Sequence, residues 1–115
     1  MATAQRADLG VGERFLEALG RRDYIDIASC FAHDATMRAD AIAARFRLWT
    51  EEIEDYELVE RSVDGFADLL RIRYAARGVD PELGLCMFEQ TAYAEVEGGR
   101  ITKLRLACSG DRPLA

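Results

Sequence analysis

Residues 92–110 read "AYAEVEGGRITKLRLACSG", two alternating runs on either side of a glycine pair. That is the pattern of an antiparallel hairpin. Two registers compete for it. A two-residue loop at Gly98-Gly99 sets Val96 opposite Ile101 and Ala94 opposite Lys103, which mixes polar and apolar side chains on both faces. A three-residue loop, Gly98-Gly99-Arg100, pairs Glu95 with Lys103 and Tyr93 with Arg105 on one face. The other face then holds Val96 with Thr102, Ala94 with Leu104, Ala92 with Leu106 and Gln90 with Cys108. Opposite charges across a ladder contribute roughly 0.2–1 kcal/mol per pair, and a one-residue slip would turn every apolar side chain outward. The three-residue loop is therefore the expected one.

The inner face so defined runs Val96, Ala94, Ala92, Gln90, Phe88 against Thr102, Leu104, Leu106, Cys108. It holds no carboxylate, lysine or histidine. Its alanines leave volume that helix side chains fill or leave as a cavity. Gln90 is its one strongly polar group. Buried without partners it would cost on the order of 1–3 kcal/mol, so it bonds an internal group, a water or a ligand. On the preceding strand Leu70, Ile72, Tyr74 and Ala76 share the apolar parity, which aims Tyr74 at the same space, while Arg71, Arg73 and Arg77 take the other side.

Upstream the period changes from two to 3.6. Val11, Phe15, Leu16 and Leu19 form one stripe of a helix over Asp8 to Leu19. Gly20 is placed to end it in the left-handed region, and Asp23 to cap a second helix that buries Ile27, Cys30 and Phe31. "HDATMR" at 33–38 reads as a turn and a short strand. A third helix starts from Asp40, with Ile42, Phe46, Trp49 and Ile53 on one stripe. Strands follow at 55–63, 67–77, 85–97 and 101–109, with "VDG" at 63–65 as a tight turn and "RGVDPELG" at 77–84 as a longer loop. Three helices and then a four-strand meander predict an α+β fold, with helices covering one face of a curved sheet.

Composition sets the outer limits. At 115 residues the chain is expected to be one domain, residues 1–115. A net charge of −6, with arginines interleaved among acids, argues against a nucleic-acid partner. The start "MATAQRADLGVGER" has no apolar core, and no run approaches membrane-spanning length, so no membrane partner and a cytoplasmic location are expected. Cys30, Cys86 and Cys108 are widely spaced and read as reduced, small hydrophobes. With one histidine, His33, and no CxxC, no metal site and no cofactor are expected.

"FLEALGRRDYIDIASCFAHDATMR", an amphipathic helix, and a meander ending "GRITKLRLACSG" resemble the NTF2-like superfamily, especially its SnoaL-like (polyketide cyclase and ketosteroid isomerase-like) bacterial members. The resemblance implies a cone-shaped, strongly curved antiparallel sheet wrapped around three N-terminal helices, with an apolar pocket at the wide end. It also implies a homodimer through the outer sheet face. Fold alone does not choose among this family's activities. In the ketosteroid isomerases a tyrosine of the first helix, an acid on the penultimate strand and an aspartate after the "DAT" turn do the chemistry. The matching positions here are Phe15, Ala92 and Ala39. Phenylalanine and alanine supply neither a base nor an oxyanion donor, so that reaction is rejected.

What remains are Asp40, which also reads as the cap of the third helix, and Glu60, on a strand whose parity "YELVERSV" does not fix. An inward Glu60 would be the best general acid or base in the chain. The candidate ligand wall is Gln90, Tyr74, Cys108, Phe88, Ala92, Leu106, Phe15 and Trp49. Two readings stay open. One is a pocket protein for a small apolar molecule, polyketide-, steroid- or terpenoid-like, whether or not it turns that molecule over in a metal-free lyase or isomerase reaction. The other is a non-catalytic homodimeric binding or assembly module.

Overall fold

The computed structural model describes residues 6–32, 39–108 and 112–113. The order along the chain is α1 (Arg6–Arg21), α2 (Tyr24–Ser29) and α3 (Ala39–Thr50), then β1 (Glu54–Phe66), β2 (Leu69–Asp80), β3 (Gly84–Glu97), β4 (Arg100–Cys108) and β5 (Arg112–Pro113). β1 to β4 form an antiparallel meander in chain order, and the short β5 pairs with β3 at Cys86 and Met87. The helices pack against one face of this curved sheet. The architecture is the α+β one expected.

The helices form where their apolar stripes can be buried. α1 buries Val11, Phe15, Leu16 and Leu19 and leaves Glu13, Arg14 and Glu17 exposed. Its end differs from the expectation at Gly20, which stays helical. Arg22 N–H reaches Leu19 O at 3.1 Å and Asp23 N–H reaches Ala18 O at 2.9 Å, a Schellman closure whose left-handed residue is Arg22, at φ 54°. Asp23 then caps α2, its carboxylate accepting from Asp26 N–H at 3.0 Å. α3 buries Ile42, Ala43, Phe46 and Thr50. The centre of that stripe runs between Phe46 and Thr50, which leaves Trp49 on its rim, 39% exposed and edge-on to Phe46 at 5.3 Å.

Two turns move. β1 does not stop at Val63–Gly65: it pairs Val63 with Ile72 and Gly65 with Leu70, and the chain reverses at Ala67, φ 56°. Nor is 77–84 a loop. β2 continues to Asp80, whose carboxylate accepts from Glu82 N–H at 2.8 Å and Leu83 N–H at 3.0 Å and so closes a tight connection. Gly78 is a strand glycine, needed because the incoming chain crosses it: a Cβ there would lie 2.9 Å from Glu54 O and against the Ile53 side chain.

The hairpin takes something from each register. In its body Glu95 faces Lys103, Tyr93 faces Arg105, Ala92 faces Leu106 and Gln90 faces Cys108, as expected. At the tip, however, Val96 faces Ile101 and Glu97 faces Arg100, with a shift between Glu95 and Val96 that leaves Thr102 as the extra residue. Gly98 and Gly99, at φ 60° and 76°, supply the two left-handed positions of a two-residue turn. The bulge restores the register that keeps apolar residues inward.

Helices and sheet share one core cluster. Phe15 sits at its centre, edge-on to Phe31 at 6.2 Å and to Phe46 at 5.4 Å. Ala92 and Ala94 belong to it at 0% exposure, so no water-sized space touches them. The segment 33–38, with His33 and the expected turn and strand, lies outside the described residues, as do the side chains of Asp40 and Cys108.

Candidate functional site

One row of the inner face carries the polarity. Across the four strands Arg61 faces Tyr74, Tyr74 faces Gln90 and Gln90 faces Cys108. Tyr74 is 3% and Gln90 6% exposed, and the Tyr74 hydroxyl donates to Gln90 Oε1. This bond fixes the carboxamide in one orientation. Ala76 and Phe88, buried one row along, make the apolar floor beside it. On the other side come Ile72, Ala92 and Leu106, the last 36% exposed.

Arg61 is the member that reading the sequence missed. A register shift between Leu58 and Glu60 reverses the parity of "YELVERSV" and turns Arg61 to the helix side, where it pairs with Glu17 of α1 at 3.7 Å. The same shift corrects the expectation for Glu60. It stands opposite Ala75, exposed, on the outer face, and is no part of the inner wall. Phe15 belongs to the same core cluster as Tyr74, and Trp49 lies on the rim of α3, 39% exposed.

Apart from Arg61, which is paired with Glu17, the chemistry of the wall is neutral. Among the described residues, no inward strand residue from Arg61 to Gly65, Leu70 to Ala76 or Phe88 to Ala94 carries a carboxylate, and no group of three or more possible metal ligands is found. Cys30 is buried, its Sγ 3.5 Å from Asp26 O, and burial pushes its thiol up, which disfavours the nucleophilic thiolate. A hydroxyl and a carboxamide can orient a carbonyl or hydroxyl group; they do not take a proton from carbon.

A second polar cluster closes the junction of α1, α3 and β1. Arg22 Nη1 donates to Thr50 O at 3.0 Å and Ile53 O at 2.7 Å, and its guanidinium lies 5.0 Å over the Tyr56 ring. Tyr24 donates to Thr50 Oγ1 at 2.8 Å, and that hydroxyl donates to Phe46 O at 2.7 Å. The Tyr56 hydroxyl is buried without a partner among the described residues, and burial pushes its phenol well above the usual range.

The outer face is charged. Asp64 pairs with Arg71, whose guanidinium holds the Asp64 carboxyl below the usual carboxylate range. Glu57 pairs with Arg77 at 3.2 Å and Glu95 with Lys103 at 3.9 Å. A shallow cleft of about 350 Å³ crosses this face, and its walls include Glu60, Arg73, Ala75, Glu89, Thr91 and Tyr93.

No family model and no curated protein matches the sequence. Solved structures do match the fold. A candidate polyketide cyclase from Xanthomonas campestris pv. campestris aligns at TM-score 0.72 and 18% identity, over 88% of this chain and 89% of that one. An NTF2-like protein from Burkholderia xenovorans LB400 aligns at 0.70 and 14%, over 92% of each chain. A candidate hydroxylase from Streptomyces galilaeus aligns at 0.77 and 14%, over 96% of this chain and 83% of that one. At these identities the likeness is one of fold.

Proposed function

The chain has the NTF2-like fold, and on that premise we propose that it holds a small apolar molecule bearing a carbonyl or hydroxyl group against the inner wall, beside Tyr74 and Gln90. The observation that carries this reading is the buried Tyr74–Gln90 bond. Two polar side chains placed in an otherwise apolar wall, each locked by the other, form the usual pattern of a specificity group in a ligand site. Ligand classes with that chemistry are polyketide-, steroid- and terpenoid-like. The wall binds and orients; Glu60 faces away from it, so enolisation by an inward acid on this strand is not part of the function.

Thermal shift tests it. 2-Acetylnaphthalene, a δ-lactone and a 3-ketosteroid are the probes, each against the wild type and Gln90→Leu. A rise in Tm for at least one probe, reduced at least tenfold in apparent affinity by Gln90→Leu, is the expected result. Failure of every probe, or equal shifts in both proteins, would refute the reading.

The second reading, a homodimer joined through the outer sheet face, is favoured by a separate observation. That face carries the exposed Phe66, edge-on to Tyr93 at 5.6 Å, and rows of charge of both signs, a surface that a second copy can complement. Sedimentation equilibrium decides it: a dimer in the micromolar range supports it, and a monomer there rules it out. The two readings are compatible, since they use opposite faces of the sheet.

A further inference from the structure

Exposure on the inner face is uneven; it rises at one edge of the sheet. Between the Leu70–Ala94 row and the Ala76–Phe88 row, no described inward residue of β2 or β3 is more than 7% exposed. β4 departs from this. Ile101, beside the hairpin turn, is buried, and Leu104 is partly buried against the core, but Leu106 is 36% exposed and outside the core cluster. Leu106 nevertheless stands opposite the buried Ala92 and so points to the helix side of the sheet. An exposed leucine on a solvent face is ordinary; this one is bare apolar surface on the face that carries the core. Gln90 faces Cys108, which makes Leu106 its diagonal neighbour, about 7–8 Å away. β4 is also the edge of the meander. The described pairing on its far side is Phe31 with Ile101, and Leu106 lies five residues further along, about 17 Å at strand rise.

We infer that Leu106 carries the apolar body of the ligand, and that this body leaves the wall across the edge at β4. The inference rests on the binding reading above and narrows its ligand class to elongated molecules whose carbonyl or hydroxyl is terminal. The other directions are closed. Toward the hairpin turn, Ile72, Ala92 and Ala94 lie within the core that Phe15, Phe31 and Ile101 complete. Toward β1, helix α1 lies directly on the sheet: a Cβ at Gly12 would be 2.7 Å from Val63 and 3.0 Å from Leu70, and one at Gly20 3.4 Å from Leu58. On the third side Ala76 and Phe88 are buried. A body joined to a polar atom at Gln90 therefore finds its open apolar surface at Leu106. A carbonyl in the middle of a chain would send one arm over Leu106 and the other into the packed core, so the wall selects terminal polar groups. Past Leu106 the chain meets the open edge, and further length adds no contact with the wall.

A homologous series tests it. Affinities of 2-pentanone, 2-heptanone, 2-nonanone and 2-undecanone are measured by calorimetry on the wild type, Leu106→Asn, Leu106→Met and Gln90→Leu, with 5-nonanone as the isomer whose carbonyl is central. On the wild type, affinity should rise about fourfold per methylene, the equivalent of about 0.8 kcal/mol per buried CH2, and level off once the chain has crossed Leu106. 5-Nonanone should bind at least tenfold more weakly than 2-nonanone. Leu106→Asn should weaken 2-nonanone at least fivefold and flatten the series, and Leu106→Met should restore both. The comparison of the two nonanones needs no variant, so it decides alone if Leu106→Asn does not fold. Failure of every 2-alkanone while 2-acetylnaphthalene binds, equal affinity for the two nonanones, or no loss in a folded Leu106→Asn would overturn this inference alone. Failure of 2-acetylnaphthalene as well, or binding untouched by Gln90→Leu, would overturn the binding reading beneath it.

Discussion

Arg22 adopts φ 54°, a conformation that costs a non-glycine residue roughly 1–2 kcal/mol. Its side chain offsets that cost by two charge-assisted bonds, to Thr50 O and Ile53 O, and by its place over the Tyr56 ring. Arg22→Ala keeps the strain and loses the bonds, so it is expected to cost about 2–4 kcal/mol, and Arg22→Gly about 1 kcal/mol less. Urea denaturation of both variants checks the order; an alanine variant as stable as the wild type would show that the clamp contributes nothing. Tyr56 beneath it is a different case. Its hydroxyl is buried without a partner among the described residues, so Tyr56→Phe should raise stability by about 1–2 kcal/mol at neutral pH. The pH dependence has a definite sign. Burial raises the folded phenol above its ordinary value of 10.0, so above that pH the unfolded chain releases a proton that the folded one retains. Stability therefore falls as pH rises past 10.0. The fall should be shallower in Tyr56→Phe, a difference measured by urea melts across the alkaline range.

At the scale of elements, the strands that alternate strictly were legible and the ones with inserted residues were not. Leu70, Ile72, Tyr74 and Ala76 on β2, and Phe88, Gln90, Ala92 and Ala94 on β3, all face inward as their parity indicated. On β1 the shifts at 54–57 and 58–60 break the period of two, so neither the inward Arg61 nor the outward Glu60 was readable. These irregularities sit on an edge strand, where bulges also discourage pairing with another chain. Gly78 misled for another reason: beside Pro81 and Gly84 it reads as loop, although it marks a crossing of two chain segments. Gly78→Ala would press a methyl group against the Glu54 carbonyl and the Ile53 side chain. Backbone cannot step aside as a side-chain tip can, so the expected cost is about 2–3 kcal/mol. Gly99→Ala meets no atom within 4 Å and is strained only by its φ of 76°, for roughly 1 kcal/mol. Thermal melts should rank Gly78→Ala well below Gly99→Ala, and the reverse order would remove the crossing as the reason for this glycine.

For the whole molecule, helices on one face and charge on the other divide the sheet into a mostly apolar wall, with Arg61 as its charged member, and an ionic one. The division follows from one-residue alternation, which is why the sequence disclosed the fold and the inward parity of Tyr74 and Gln90 together. It did not disclose which acids lie near them, since that depends on a bulge and on how α3 begins. The consequence for chemistry is sharp. Removing a proton α to a carbonyl needs a base in hydrogen-bond reach, and a positioned one accelerates the step by about 10²–10⁴-fold. The inner strand face offers Tyr74 and Gln90, a donor and a carboxamide already joined, and Glu60 is on the far side of the sheet. 2-Acetylnaphthalene incubated with the protein in D2O should therefore exchange its methyl protons no faster than in buffer, followed by proton NMR. An acceleration that survives Glu60→Gln and disappears in Asp40→Asn would place a base at the start of α3 and convert the binding wall into half of an active site.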